Sequence, residues 1–199
     1  MDKHAQTSVP IHDLIAARWS PRALDPDAPL SPEQITALLE AARWAPSCFG
    51  DEPWRYVVCH RPDTPDAWQA ALDCLAEKNQ RWARNAPLLL VATAAAQFRK
   101  NGKPNRWGQY DSGAASENLC LQATALGLAA HQMGGFDADQ AREAFAIPDG
   151  FTPMAFIAVG KPAPLDTLEE DFREAETAAR RRSPLGEICF AGKWGQAVK

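Results

Sequence analysis

The chain has 199 residues, 46% hydrophobic and 23% charged, an ordinary globular balance. Its formal net charge of −4 argues against nonspecific nucleic-acid binding, which needs a basic surface. No apolar run approaches the ~18 residues of a membrane span. The N-terminal sequence MDKHAQTSVPIHDL lacks the apolar core of a signal peptide, so we expect a cytoplasmic protein. Five cysteines without C-x-x-C spacing and four scattered histidines predict no disulfide framework and no metal site.

The first third of the chain predicts two helices and a strand. Apolar spacing predicts a helix in PIHDLIAARW at 10–19. A second helix begins after Ser31, where Pro32 suits the first helical position and Gln34 completes a capping box. The β-branched and aromatic run WRYVVC at 54–59 predicts a strand.

The middle of the chain predicts two helices, a strand and a long loop. One helix is expected over 65–85, and the apolar run PLLLVATAA at 87–95 predicts a strand buried on both faces. The polar, basic stretch QFRKNGKPNRWGQY at 97–110 predicts a loop long enough for a surface lid. The longest helix is predicted over 111–128, and its small residues favour a central position or one shared between subunits.

The last third predicts two more strands and two more helices. AAHQMGGF at 129–136 is expected to form a short strand and a turn, and Asp137 to cap a helix over 138–147. MAFIAVG, preceded by Pro153, predicts the last core strand, and a charged helix is expected over 168–182. Intermixed helices and strands without a dividing linker predict one α+β or α/β layered domain over residues 1–199.

Two basic clusters are candidates for anion binding. In ARWSPRAL, Arg18, Ser20 and Arg22 alternate, so an extended chain would place two guanidinium groups and a hydroxyl on one side. Such a trio suits a phosphate, although a solvated helix end is the alternative. The second cluster, at 180–182, could equally belong to a charged helix in which Glu176 pairs with Arg180.

Two further stretches could approach a flat ligand. In EAARWAPSCFGDEPWRYVV, prolines at 46 and 53 stiffen a loop of small and polar residues whose amides could edge a planar heterocycle. Gly134 and Gly135 let backbone come close to a ligand, with a tight turn as the alternative.

Together, and in order, these stretches resemble the motifs of the FMN-dependent nitroreductase family. ARWSPRAL resembles its R-x-S-x-R signature, and the 40–58 stretch is similar to its A-P-S-x-x-N-x-Q-P-W-x-F-x-V segment. YDSGAASENLCLQATALGLAAHQMGGF resembles its D-x-G-x-A…N-L-x-L-x-A…G-L helix and the turn after it. The resemblance runs from about residue 11 to 195, so it covers nearly the whole chain.

The resemblance implies a nitroreductase-like α+β fold, with a central, mostly antiparallel sheet flanked by helices. It implies a homodimer with the long central helix at the interface and FMN bound between the chains. The implied reaction passes hydride from NAD(P)H through flavin N5 to a nitroaromatic, quinone or similar electron-poor acceptor, with ping-pong kinetics. The alternatives are another reaction on the same fold, such as enal or semialdehyde reduction, dehalogenation or ring oxidation, and a flavin-binding or regulatory protein with little turnover.

The resemblance also implies a set of FMN contacts. Arg18, Ser20 and Arg22 would bind the phosphate and ribityl chain, with a second clamp from 180–182. Ser47 and its neighbours would edge the ring from the partner chain, Asn79 would bind its pyrimidine side, and the 133–135 backbone would pass beneath it. The implied set is Arg18, Trp19, Ser20, Arg22, Pro46, Ser47, Cys48, Gly50, Asn79, Gln132, Met133, Gly134, Gly135, Arg180 and Arg182.

The flavin would carry the reaction, so no side chain is expected to act as a catalytic acid or base. Phe49, Trp107 and Phe136 are candidates for a wall above the ring, with core packing as the alternative. Two positions depart from the family pattern: Gly50 replaces its usual Asn, and Glu52 its usual Gln. We expect Glu52 to pair with an arginine such as Arg55 or to point away from the flavin.

Overall fold

The computed structural model describes residues 3–198 and contains one four-stranded sheet. The strands lie in the order β1-β2-β4-β3, and all three neighbouring pairs are antiparallel. Their bounds are β1 Trp54–His60, β2 Leu88–Ala95, β3 Ala129–Met133 and β4 Phe151–Gly160. Every residue of β2 is buried, as its apolar run predicts. The predicted α+β fold, with an antiparallel sheet between helices, is confirmed.

The sheet is covered on both faces, and β2 shows why. Leu89 and Val91 pack into one apolar cluster with the buried ring of Trp82, whereas Leu88 and Leu90 pack into a second. Alternate residues of a strand point to opposite faces, so one continuous apolar run serves both clusters. Each fully buried side chain of this kind contributes about 1.5–3 kcal/mol through the area it removes from water.

Eight helices accompany the sheet within residues 3–198. They are α1 Asp13–Ala17, α2 Pro32–Arg43, α3 Pro65–Asp73, α4 Glu77–Ala83, α5 Gly108–Ala125, α6 Ala138–Ala144, α7 Glu170–Thr177 and α8 Leu185–Ile188. The predicted capping box of α2 is confirmed: Ser31 Oγ accepts from the Gln34 N–H at 3.2 Å, and the Ser31 N–H donates to Gln34 Oε1 at 2.9 Å. Asp137 caps α6 as predicted.

Three helix predictions need correction. The single helix over 65–85 is wrong: it is two helices, because Leu75 forms a bridge with Phe136 and the N–H of Ala76 donates to the Gly135 carbonyl. The first helix ends at Ala17, since the chain becomes extended at the next residue. The helix over 168–182 is limited to α7, so the arginines at 180–182 lie beyond it.

None of the helices in residues 3–198 is both long and apolar enough to cross a lipid bilayer.

Candidate cofactor-binding site

An extended segment after α1 carries the first basic cluster. Arg18 Nη1 lies 3.4 Å from Ser20 Oγ, so these two side chains share one side of the segment, as their alternation predicts. The alternate residues of the segment, at 17, 19, 21 and 23, line a cavity of about 470 Å³ together with the start of β3 and residues 162–165. Trp19 belongs to this cavity wall, and the ammonium group of Lys3 lies 5.0 Å from the centre of its ring. The Trp19 side chain therefore lies on the opposite side of the segment from Arg18, and it would have to change its orientation to contact a ligand bound by Arg18.

A buried carboxylate fixes the segment. Oε1 of Glu176, on α7, accepts hydrogen bonds from the N–H groups of Arg22 and Ala23 at 2.8 and 3.1 Å. Its Oε2 lies 3.8 Å from the Arg22 guanidinium. The alternative in which Glu176 pairs with Arg180 within one helix is therefore wrong, because α7 ends at Thr177 and Glu176 binds the basic segment instead.

The second basic cluster approaches the first. The guanidinium of Arg180 donates to the carbonyls of Lys3 and Ala16 at 2.6 and 2.7 Å, next to the start of the segment. Burial lowers the pKa of Arg180, and the positive charges of Arg18 and Arg182 lower it further. The guanidinium group of Arg180 thus lies within electrostatic range of Arg18, from the other end of the chain, as well as of its neighbour Arg182.

The cluster has more positive than negative charge. Arg18 pairs with Glu117 at 3.2 Å, and Arg22 faces Glu176. Within residues 3–198, neither Arg180 nor Arg182 has a carboxylate partner. Four guanidinium groups therefore face two carboxylates, and the excess charge suits a phosphate, which carries −1.5 to −2 near neutral pH.

His131, on β3, supports the segment from beneath, and no sequence motif pointed to it. Its Nδ1–H donates to the Pro21 carbonyl at 3.1 Å, and its ring packs on Trp82 with 4.6 Å between ring centres. Burial lowers the pKa of His131 to about 4, and the nearby charges of Arg22 and Arg18 act in the same direction. The imidazole is neutral near pH 7, so it adds no charge to the cluster.

The loop between Pro46 and Pro53 is fixed by side-chain hydrogen bonds to its backbone. Ser47 Oγ accepts from the N–H of Glu52 at 3.0 Å, and the N–H of Cys48 donates to Asp111 Oδ2, on α5, at 2.9 Å. Residues 48–50 form a single 3₁₀ turn. The exposed Pro46 and the half-buried Ser47 precede this turn. The half-buried Cys48 begins it, and α5 fixes the position of its N–H.

Asp51 joins this loop to the 97–107 loop. Its buried carboxylate accepts from the N–H of Arg99 at 2.9 Å and lies 3.5 Å from Nδ2 of Asn105. The predicted long loop is therefore held against the 46–53 loop, and α5 begins directly after it at Gly108.

Asn79 and Gly135 lie together, as the resemblance implies for residues that share a ligand. The Asn79 Nδ2 donates to the Gly135 carbonyl at 3.0 Å. A Cβ at Gly135 would lie 2.9 Å from that nitrogen, so any other residue at this position would displace the Asn79 amide. A Cβ at Gly134 would meet nothing within 4 Å, which leaves open space beside the turn.

The other residues around this turn differ in exposure. Met133 is 3% exposed and packs into the core, so only its backbone faces the turn. Gln132 is exposed, and its Nε2 lies 3.4 Å from Sγ of Cys120. Burial raises the pKa of the Cys120 thiol to about 12, so it is a neutral packing group, as expected for reduced cysteines.

The two departures from the family pattern have local explanations. Gly50 has φ +63°, a conformation that glycine adopts without strain. The guanidinium of Arg55 binds the carbonyls of Glu52 and Trp54 at 2.8 and 2.6 Å rather than a carboxylate. Glu40 raises the pKa of Arg43, and the charge of Glu52 adds to this effect. The carboxylate of Glu52 thus interacts with an arginine, which is Arg43 and not Arg55.

This fold is that of a family of oxidoreductases, and it positions the basic and glycine-containing segments described above. The model of the nitroreductase family matches residues 15–161, and the chain belongs to that family. No group of three or more metal-binding side chains occurs in residues 3–198.

Two solved structures and one curated relative illustrate the similarity. A crystal structure described as an oxidoreductase containing FMN is 36% identical, with a TM-score of 0.89 and 96% of each chain covered. A nitroreductase-like protein from Desulfovibrio desulfuricans in complex with FMN is 26% identical, with a TM-score of 0.71, covering 94% of this chain and 99% of that one. "Putative NAD(P)H nitroreductase YdgI" of Bacillus subtilis is 25% identical in an alignment 203 positions long, gaps included, which covers 79% of this chain and 95% of the relative.

Proposed function

We propose that this protein is an FMN-dependent oxidoreductase that takes electrons from NAD(P)H and passes them to a nitroaromatic, a quinone or a similar electron-poor acceptor. The observation that carries the proposal is the approach of Arg18 to the 180–182 cluster, where neither Arg180 nor Arg182 has a carboxylate partner within residues 3–198. Family membership and the FMN in two similar structures support the choice of cofactor. The donor is supported by the name of the Bacillus relative.

The residues present fit FMN. Arg18, Ser20, Arg22 and Arg182 would hold its phosphate by charge-assisted hydrogen bonds, with Arg180 adding positive charge behind them. Asn79 and the backbone at 133–135 would orient the ring. When bound, FMN supplies hydride chemistry, so this chain's residues need only bind, orient and exclude water.

We also propose a homodimer in which each site uses both chains. The 46–53 loop precedes β1, and the 134–135 turn follows β3, at the same end of the sheet. These are the two edge strands, separated by three strand spacings or about 14 Å. A partner subunit that supplies its own 46–53 loop would place both segments against one ring.

The surface supports the dimer. Large apolar side chains are exposed near both termini and along α5: Val9 (64%), Ile15 (53%), Tyr110 (78%), Ile188 (62%) and Trp194 (91%). Such side chains mark interaction surfaces when they cluster. Sedimentation at micromolar concentration should give a dimer, and a monomer that retained flavin would contradict the shared site. We further infer one domain over residues 1–199, because both apolar clusters share one sheet.

A visible spectrum of the purified protein, followed by titration with NADH and NADPH, tests the proposed function. We expect bound flavin and acceptor-dependent turnover with menadione and nitrofurazone. The double variant Arg18→Ala/Arg182→Ala should lose flavin. The control Arg43→Ala/Arg84→Ala removes two exposed arginines outside the cluster and should retain it. Equal flavin retention by the two double variants would overturn the assignment of the phosphate site.

A further inference from the structure

A second cavity, of about 870 Å³, lies between the 46–53 loop and the 97–107 loop. Its walls include the rings of Phe49 and Phe98, which meet edge to face with 5.9 Å between ring centres. Phe49 is 91% exposed, so its ring faces the cavity and solvent instead of the core. We call this cavity the basic aromatic pocket.

The loop that presents Phe49 is strained. Phe49 and Glu52 have φ of +57° and +50°, values that residues with a side chain rarely adopt. Each such residue costs about 1–3 kcal/mol and persists only where surrounding contacts impose it. Here the contacts are the hydrogen bonds to Ser47 Oγ and to the Asp51 carboxylate. Strain that holds an aromatic ring out of the core indicates a binding role for the ring.

The pocket is positively charged. Arg99, Lys100 and Lys103 line it, and no ion pair in residues 3–198 involves any of them. The one carboxylate in its lining, that of Asp51, is buried and already accepts from the backbone of Arg99. The Arg99 guanidinium reaches only the Gly50 carbonyl, at 3.4 Å. A ligand would therefore meet three cations beside two aromatic rings.

We propose that the basic aromatic pocket binds a ligand that joins a flat aromatic ring to an anionic group, such as a carboxylate, sulfonate or phosphate. The ring would pack against Phe49, and the anion would pair with Arg99 and Lys103. This inference rests on the proposed function, because the pocket adjoins Ser47 and Cys48, which that function places at the edge of the flavin. The anion can belong to the electron acceptor or to the 2′-phosphate of NADPH.

The test compares matched ligands in separate half-reactions. For the acceptor, 4-nitrobenzoate is compared with the neutral 4-nitrobenzamide in reoxidation of the reduced protein. For the donor, NADPH is compared with NADH in reduction of the oxidised protein. In at least one pair, we expect the compound with the additional anionic group, 4-nitrobenzoate or NADPH, to react about tenfold more efficiently. This is the effect of one charge-assisted contact. Added salt should reduce the difference.

The double variant Arg99→Gln/Lys103→Gln should reduce the difference to near parity. Both substitutions leave the Arg99 N–H that binds Asp51, so the loop should stay folded. The control Arg84→Gln/Lys161→Gln removes two charges at the opposite end of the sheet, before β2 and after β4, and should keep the preference. An acceptor preference that falls in the variant assigns the anion to the acceptor, and a donor preference that falls assigns it to NADPH. No preference in either arm, or an equal fall in the control, would overturn the proposal.

Direct binding separates this inference from the proposed function. Calorimetric titration of 4-nitrobenzoate and of NADP⁺ into the protein as purified needs no turnover. Selective anion binding that Arg99→Gln/Lys103→Gln abolishes, without turnover of any acceptor, would support the pocket and reject the proposed reaction. Turnover without anion selectivity in kinetics or calorimetry would support the proposed reaction and reject the pocket.

Discussion

The carboxylate of Glu176 accepts a hydrogen bond from the backbone of Arg22 at 2.8 Å, across 154 residues of chain. Its side chain is 2% exposed, and its second oxygen, 3.8 Å from the Arg22 guanidinium, has no hydrogen-bond partner in residues 3–198. Helix α7 therefore positions the N-terminal basic segment, and the chain that continues from α7 leads to the arginines at 180–182.

Glu176→Ala should lower the free energy of unfolding by about 2–4 kcal/mol, because it leaves two buried N–H groups and a guanidinium without their acceptor. Urea denaturation measures the change. Glu176→Gln retains one acceptor oxygen and should lose less. Glu174→Ala, exposed on the same helix, is the control. Equal unfolding midpoints for the two alanine variants would show that the buried contact contributes nothing.

His131 should make the stability of the protein depend on pH. Burial lowers its folded-state pKa to about 4, whereas the unfolded chain takes up a proton near pH 6.5. The unfolded state therefore binds more protons between these values. Stability is complete above about pH 6.5 and falls toward pH 4, by about 3 kcal/mol at most.

Comparison with His131→Asn isolates this contribution, because Asn offers Nδ2 in place of the Nδ1 donor to Pro21. Urea midpoints at about pH 7.5 and about pH 4.5 should differ less in the variant than in the natural protein. The same pH dependence in both proteins would mean that His131 titrates normally.

Gly135→Ala should destabilise the turn after β3, since the new Cβ would lie 2.9 Å from Asn79 Nδ2 and displace that side chain. Because Nδ2 is the far end of a flexible side chain, the expected loss is that of its hydrogen bond to Gly135, about 0.5–1.5 kcal/mol, together with weaker flavin binding. Gly134→Ala is the matched control, because its Cβ meets nothing within 4 Å. It should leave the stability of the flavin-free protein unchanged. If both variants had the same free energy of unfolding in the flavin-free state, the close approach at Gly135 would contribute nothing to stability.

Phe49→Gly should keep the free energy of unfolding within about 1 kcal/mol of the natural value. The substitution removes a ring that is 91% exposed and relieves a φ of +57°, which offsets the entropy cost of glycine. Calorimetric affinity for 4-nitrobenzoate should fall several-fold. A loss of stability beyond 2 kcal/mol would instead identify Phe49 as a packing residue.

Local sequence signals predicted the elements whose causes are local. The capping box of α2 involves residues three apart, and the strands at the sheet centre are continuous apolar runs. The break at Leu75 depends on a bridge to Phe136, and the end of α7 leaves Glu176 free to reach Arg22. Partners that lie 60 to 150 residues away leave no periodicity for a single sequence to show.

The same distinction applies to the site. Alternation predicted that Arg18 and Ser20 share a side, and the resemblance implied that Asn79 and Gly135 are neighbours. His131 and Glu176 could not be recognised, because a lone histidine in a strand and one acidic residue in a charged helix have no distinguishing pattern. Their roles follow from burial, which only the folded chain reveals.

Residues 17–23 form a single extended strand of chain, with Arg18 and Ser20 on one side and the cavity of about 470 Å³ on the other. A substitution on the cavity side that displaces this segment would therefore have the same effect in a flavin-retention assay as a substitution of the arginines themselves. In the proposed FMN site, Ala23 would not contact the cofactor, and we expect a bulky replacement there to lower flavin retention, read from the visible spectrum, as much as removal of an arginine proposed to bind the phosphate.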